Sequence, residues 1–485
     1  MKQSGLNKPA SIYWCPGCNL VLISQDCALC DLKSEHIYLG PPGDVRFCSP
    51  KERSVLHNIL VSEYGTDPLG DRIILFNKIG GEDKTDQIIV DGLFFGILRF
   101  DLTVLDWQLD LQIDGAAVLT QHTKLRTVEL SGVKGHLSGK TVRSDMIKQC
   151  SDDIRSGHEI IIRYNQLVGV GNALLDYSEM IHNKAPALRI RRIGTMGSMS
   201  PLKNKIATME QVLRANEPAI RRLGKDAINT IRGIANQKEY RKRPIYVSFS
   251  GGKDSLAVLD LTRSALKRNP QAIFINTGLE FPGTVDYVRR FCKDNNIPLH
   301  EYNAGDAYWN KLLDYGPPAK DNRWCCEVCK LTPINKAAEQ EKHLTINGKR
   351  RYESFSRSRI APKEPNPFIP AQVNVYPIRD WRAIEVWMYI YWRGLEYNPL
   401  YDMGFERIGC WLCPASLSAE YRIIKELHPE LYDKWNNYLH DWADNKGLSK
   451  EYIDYGFWRW RKHPPKMKLL ARQLGINLPS TGAAI

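Results

Sequence analysis

The chain has 485 residues, 43% of them apolar and 25% charged, which excludes a disordered polypeptide and predicts several hydrophobic cores rather than one. No apolar stretch reaches the ~18 residues of a membrane span, and the opening MKQSGLNKPASIYWCPGC holds no apolar signal segment, so a cytoplasmic protein without a membrane partner is expected. The net charge of +13, from 67 basic and 54 acidic residues, is concentrated in two stretches identified below.

Residues 1–50 carry Cys15, Cys18, Cys27 and Cys30 as two CxxC pairs with eight residues between them. Four thiolates on two tight turns suit tetrahedral Zn2+, and so short a segment needs a metal cross-link to fold. A structural zinc ribbon is therefore expected, closed to substrate, with Cys48 outside the ligand set. Cys150 and Cys292 stand apart from the other ten cysteines and are expected as small core residues.

From residue 90 to 178 the chain predicts short strands: FFGILRFDLTVLDWQLDL (94–111), GAAVLTQH (115–122), TVELSGVKGHLS (127–138) and DDIRSGHEIIIRYNQLVGVGNALL (152–175). Ser151–Glu159 and the following Val168–Leu175 resemble the turn and strand of a PUA domain, a small pseudo-barrel that binds structured RNA; His158 replaces the usual acidic residue. The resemblance implies a PUA-like β-barrel domain with lead-in over 51–178 and an RNA partner, a tRNA above all. Residues 179–243 predict a basic helical linker, because Lys184–Arg243 contains 15 Lys/Arg against 4 Asp/Glu. A polyanion partner and a merely solvated helix face both fit that excess.

PIYVSFS (244–250) is a buried parallel strand by its apolar run, and SGGKDS (250–255) and a helical pattern follow it directly. Strand, glycine turn and helix aim backbone N–H groups and a helix N-terminus at phosphate, while Lys253 adds a point charge and Ser250 and Ser255 add hydroxyls. The spacing is not that of the Walker loop. A second βα unit, with its strand at Ala272–Asn276, predicts an α/β parallel sheet over 244–430, its site at the carboxyl edge. Residues 431–485 predict a basic helical extension in which Phe457–Arg472 adds six basic residues and no acid. Trp458 and Trp460 there suit either base stacking or packing of the tail.

Four blocks, SGGKDS (250–255), NTGLEFPGT (276–284), GKRRYESFSRSR (348–359) and YNPLYDMGFERIGCWLC (397–413), resemble in order the phosphoadenosine phosphosulfate (PAPS) reductase family of the adenine nucleotide α-hydrolase, or PP-loop, superfamily. The resemblance implies a Rossmann-like PP-loop domain that binds ATP or adenylyl sulfate/PAPS. Its nucleotide site would be Ser250, Gly251, Gly252, Lys253, Asp254 and Ser255, with Thr277, Gly278 and Glu280 at the next strand end. Lys253 and Asp254 would be catalytic, Asp254 through Mg2+. Arg350, Arg351, Arg357 and Arg359 would take phosphate or sulfate, which planar guanidinium groups grip bidentately.

WCCEVCKLTPI (324–334) and GCWLC (409–413) resemble the cluster segments of the adenylyl-sulfate reductase branch. That resemblance implies a [4Fe–4S] cluster on Cys325, Cys326, Cys410 and Cys413. Cys329 is a fifth thiol; it allows a second zinc site or a nucleophilic role instead.

The expected function is ATP-dependent adenylation and sulfur transfer to a tRNA-like substrate, assisted by the cluster and a partner that donates electrons or sulfur. The intact Lys-Asp-Ser of the loop favours ATP, whose pyrophosphate must be expelled. The alternative is a sulfonucleotide reductase releasing sulfite, although the family's C-terminal nucleophile has no counterpart beyond Cys413. An RNA-binding protein with a regulatory nucleotide site is the third class. In each case the domains after residue 178 are expected to bind nucleotide without those before it.

Overall fold

The computed structural model describes residues 11–133, 135–182, 184–195, 202–338 and 341–479. Three β units precede the α/β domain. The first is antiparallel, with β1 (Ser11–Cys15) between β2 (Leu20–Leu22) and β3 (Glu35–Tyr38). Its buried Trp14, Val21 and Leu22 share a core with the long helix Met209–Ala235. That helix starts at a Thr208/Gln211 capping box and buries Val212, Ala215, Ile220, Ala227, Ile231 and Ile234 along one face. Asn216 clamps the ribbon to it, donating to the Val21 carbonyl at 2.9 Å and accepting from Ile23 N–H at 2.8 Å.

The second unit is a five-stranded antiparallel meander: β4 (Pro42–Phe47), β5 (Ile74–Ile79), β6 (Thr85–Val90), β7 (Leu93–Asp101) and β8 (Asp106–Leu111). The third has β9 (Thr127–Leu130), β10 (Thr141–Arg143), β11 (Ile147–Cys150), β12 (Glu159–Tyr164), β13 (Leu167–Ala173) and β14 (Pro186–Thr195), in the order β10-β14-β13-β12-β9-β11.

Residues 94–111 form the expected strands, as the β7–β8 hairpin of the second sheet, and the stretch 51–178 contributes to two sheets. Two details correct the sequence reading. GAAVLTQH opens as helix Ile113–Leu119 rather than a strand; Gly115 lets that helix lie directly against the Phe95 carbonyl, which a Cβ there would strike. Residues 186–195, expected as helix, are β14: Leu188 and Ile190 face inward and Arg189 outward, an alternation hidden by the density of arginine.

The α/β sheet has the order β17-β16-β15-β18-β20-β19. β15 (Ile245–Ser248), β16 (Gln271–Asn276), β17 (Leu299–Asn303), β18 (His343–Ile346) and β20 (Ile369–Val375) run parallel; the edge strand β19 (Lys363–Asn366) is antiparallel. The chain leaves β15 toward β16 on one side and returns to β18 on the other, so the carboxyl ends of β15 and β18 frame a topological switch point. Helices Ser418–Leu427, Pro429–Asn445 and Pro465–Leu474 close the molecule, sharing a core with Trp324, Cys329 and Trp411. Trp458 is buried there, edge-on to Trp435 at 5.6 Å, and so packs the tail. No helix among the described residues is long and apolar enough to cross a membrane.

Candidate functional site

The turn after β15 puts Ser250–Ser255 at the switch point. Gly251 has φ +75°, and a Cβ there would meet Val288 Cγ2 at 3.0 Å, so the turn requires glycine. Gly252 is the N-cap of helix Lys253–Leu266, and Ser255 Oγ donates to its carbonyl at 2.7 Å while standing 3.5 Å from Ser250 Oγ. The Lys253 ammonium is buried, 2.9 Å from Asp254 Oδ2 and 3.3 Å from the Glu406 carbonyl. Burial alone would lower its pKa; the Asp254 carboxylate outweighs that and holds it above the usual lysine value. The Tyr401 hydroxyl accepts from Lys253 N–H at 2.8 Å, at the helix terminus that sequence analysis assigns to phosphate.

Asp254 is the hub. Burial would raise its carboxyl, but Arg350 and Lys253 hold it below the usual range. Arg350 Nε donates to Asp254 Oδ1 at 2.6 Å, and its two terminal nitrogens grip Asp44 at 2.6 and 3.0 Å. Arg350 is 1% exposed. It borders the cavity described next, but with its guanidinium committed to Asp254 and Asp44 it braces the loop. Arg351 pairs with Asp380 at 2.6 Å, and neither Arg351 nor Arg359 lines the cavity described next. Arg357 does line it, paired with Glu353.

The cavity, of about 840 Å³, runs from the phosphate loop to the two cysteine segments. Ser250, Gly252, Lys253, Asp254, Ser255 and Thr277 open onto it, and so do all five of Cys325, Cys326, Cys329, Cys410 and Cys413. Gly278 and Glu280 lie behind its wall; Glu280 accepts from the backbone and hydroxyl of Thr277 at 2.9 and 2.8 Å and bridges the Cys410 backbone. Thr277 Oγ1 in turn lies 3.5 Å from Cys410 Sγ, linking nucleotide and thiol walls directly. The Cys325 thiol beside Cys326, with Lys330, Arg323 and Arg407 around it, brings Cys326 down to about 6 against its own burial. Cys329, in the single π-helical turn Glu327–Leu331, is buried, and burial pushes its thiol up to about 12.

The N-terminal thiols are packed more tightly. The sulfurs of Cys15, Cys18, Cys27 and Cys30 all lie within 4.8 Å of one another, with Cys15–Cys30 at 3.3 Å and Cys18–Cys27 at 3.9 Å. Among the described residues, no three sulfurs of the cavity converge in this way. The carboxylates of Glu52, Asp86 and Glu406 do converge, but Arg46, Lys84 and Lys78 fill the space between them. That buried ion network ties the β4–β8 sheet to the loop carrying Glu406.

Sequence analysis missed Asp44, Tyr401, Arg323 and Arg407 as site residues. Tyr401 and Arg407 sit inside the block YNPLYDMGFERIGCWLC, where the cysteines drew attention instead. Asp44 carries no local signal at all, being about two hundred residues upstream of the loop it braces.

Residues 244–416 match the model of the phosphoadenosine phosphosulfate reductase domain. An uncharacterized protein of Methanocaldococcus jannaschii is 35% identical across 93% of this chain and 96% of its own length. An adenosine 5'-phosphosulfate reductase of Geobacillus kaustophilus is 30% identical over 37% of this chain and 75% of its own. Among solved structures, a PAPS reductase of Candida auris is 20% identical with a TM-score of 0.32, covering 41% of this chain and 97% of the other. A PUA domain protein of Thermoplasma acidophilum is 22% identical with a TM-score of 0.24, covering 30% and 91%. With its phosphate loop, ordered motif blocks and parallel sheet, the chain belongs to the phosphoadenosine phosphosulfate reductase family.

Proposed function

We propose that this protein uses ATP to adenylate a tRNA-like RNA, releasing pyrophosphate, and that sulfur from a donor then displaces AMP from it within the 840 Å³ cavity. One observation carries the reading: an intact Gly-Gly-Lys-Asp-Ser loop and five cysteines open onto the same space. Lys253 and the loop N–H groups bind the phosphates, and Asp254, whose two oxygens already accept from Arg350 and Lys253, would offer its remaining lone pairs to Mg2+, which when bound supplies charge neutralisation for the departing pyrophosphate. Arg357 is the remaining arginine of the basic block placed to meet an anion.

The two thiol groups suit different metals. Sulfur separations of 3.3 and 3.9 Å at Cys15, Cys18, Cys27 and Cys30 bracket the ~3.8 Å tetrahedral edge expected for Zn–S bonds of about 2.3 Å. Cys325, Cys326, Cys410 and Cys413 all open onto the cavity and would hold the [4Fe–4S] cluster that the resemblance implies, an all-thiolate set being chemically suited to it. Lys330, Arg323 and Arg407 there offset thiolate charge. Burial of Cys329 favours a packing or ligand role over a free nucleophile. The basic stretch Lys184–Arg243 and the β9–β14 unit are the surfaces assigned to RNA, and a partner protein supplies electrons or sulfur.

A second reading, reduction of adenylyl sulfate to sulfite, is favoured by the Geobacillus kaustophilus relative of that name. ATP–pyrophosphate exchange by anaerobic protein, with and without cellular RNA, separates the two when set beside sulfite release from adenylyl sulfate. RNA-stimulated exchange is expected. Sulfite release without exchange would transfer the assignment to the reductase.

A further inference from the structure

Asp44 and Arg46 both lie on β4, Asp44 in the irregular stretch between Pro42 and Val45 and Arg46 just after it. Both reach the phosphate loop. Arg46 pairs with Glu406 at 3.1 Å, and the carbonyl of Glu406 accepts from Lys253 Nζ at 3.3 Å. Asp44 holds Arg350, and Arg350 holds Asp254.

We propose that Asp44 is a positioning residue for the nucleotide chemistry. Through Arg350 it fixes Asp254 and the start of helix Lys253–Leu266, so the loop is competent only while the β4–β8 sheet is docked on it. The inference rests on the nucleotide-dependent reading above.

The charges show why two carboxylates are needed. Lys253 and Arg350 supply two positive charges, Asp254 and Asp44 two negative ones, and the buried set is neutral. Of the five guanidinium N–H groups of Arg350, one goes to Asp254, two to Asp44 and a further contact to the Trp381 carbonyl at 3.3 Å. Without Asp44, Arg350 would be a buried, half-satisfied cation drawn onto Asp254 in competition with Lys253. Asp44 is itself anchored from behind, since its Oδ1 accepts from Ala383 N–H at 2.7 Å, at the N-terminus of helix Ala383–Arg393. Arg350 borders the cavity, but its N–H groups are committed to Asp254, Asp44 and the Trp381 carbonyl, so the effect passes through Asp254 and not through direct binding.

The test compares full-length Asp44→Asn, Arg350→Met and the double variant. Hydrogen exchange of amides 252–256 in the nucleotide-free protein is read first. Asp44→Asn is expected to speed it roughly tenfold while leaving β1–β3 and β9–β14 unchanged. In whichever reaction the wild type catalyses, kcat should fall roughly tenfold or more without a rise in nucleotide KM, and the double variant should be no worse than Arg350→Met. Unchanged loop exchange in Asp44→Asn, or multiplied losses in the double variant, would overturn the inference. A wild type that turns over neither ATP nor adenylyl sulfate would defeat the functional reading, and the exchange experiment would still decide the role of Asp44. If Asp44→Asn does not fold, Asp44→Glu, which keeps the charge and alters the reach, is read in the same way.

Discussion

Replacing Gly348 with alanine is expected to damage the site from behind. Gly348 follows β18 and lies against the first turn of helix Lys253–Leu266. A Cβ at position 348 would sit 2.6 Å from the Asp254 carbonyl carbon, 2.7 Å from its oxygen and 2.9 Å from its Cβ. These atoms are backbone or adjoin it, so no flexible side-chain end can swing away. Relief to an ordinary contact of about 3.5 Å requires a relative shift of roughly 0.5–1 Å between the two segments. Overpacking of this kind costs about 1–3 kcal/mol of stability. The greater loss is catalytic, because Asp254 and the loop N–H groups move with the helix start, and misplacement on this scale reduces rate by up to about 100-fold. Steady-state turnover of Gly348→Ala, beside its thermal midpoint, checks both. Normal turnover in a folded variant would refute the proposed link between the β18 loop and Asp254.

Lys253→Ala and Asp254→Ala should abolish nucleotide turnover. Lys253 is buried, Asp254 is partly buried, and both are paired, so unlike an exposed loop residue each should also lower stability, by about 3 kcal/mol for Lys253 and less for Asp254, which chemical denaturation measures. Anaerobically purified protein should contain about one zinc and about four irons with matching sulfide; Cys410→Ser should remove iron alone and Cys15→Ser zinc alone, as elemental analysis will show. Glu159 gives a pH signature. Burial, outweighing Arg191, raises its carboxyl from 4.5 to about 7. The folded state therefore binds the extra proton, and stability falls as pH rises between those values, by on the order of 3 kcal/mol. Urea denaturation at pH 5 and pH 8 should show Glu159→Gln losing that part of the wild-type pH dependence, and identical slopes would count against it.

The phosphate loop and both cysteine groups were legible in the sequence because their chemistry is local. A tight glycine turn between strand and helix, or a pair of thiols with two residues between them, announces itself within a few positions. The arginines were not legible. Arg350, Arg351, Arg357 and Arg359 look alike in one basic block, and their separate roles are decided by what each meets: Asp44 and Asp254 for Arg350, Asp380 for Arg351, the cavity for Arg357. The contribution of residues before 178 to the site was illegible for the same reason. Asp44, Arg46 and Lys78 cross from the β4–β8 sheet to brace or line the site, and no spacing rule connects positions so far apart. The errors at 113–119 and 186–195 have a different origin. Small apolar residues suit helix and strand equally, and a strand rich in arginine resembles a solvated helix face until its partner strand is known.

In the proposed reaction the nucleotide and the metal-binding thiols meet in one cavity, joined where Thr277 Oγ1 lies 3.5 Å from Cys410 Sγ. Titrating the anaerobic protein with ATP and with adenylyl sulfate, while following both binding heat and the visible spectrum of the bound iron, tests it directly. Saturable binding of one of them with a matching spectral change, lost in Lys253→Ala, is the predicted result; binding that leaves the iron spectrum unmoved, or protein that carries no iron, would contradict it.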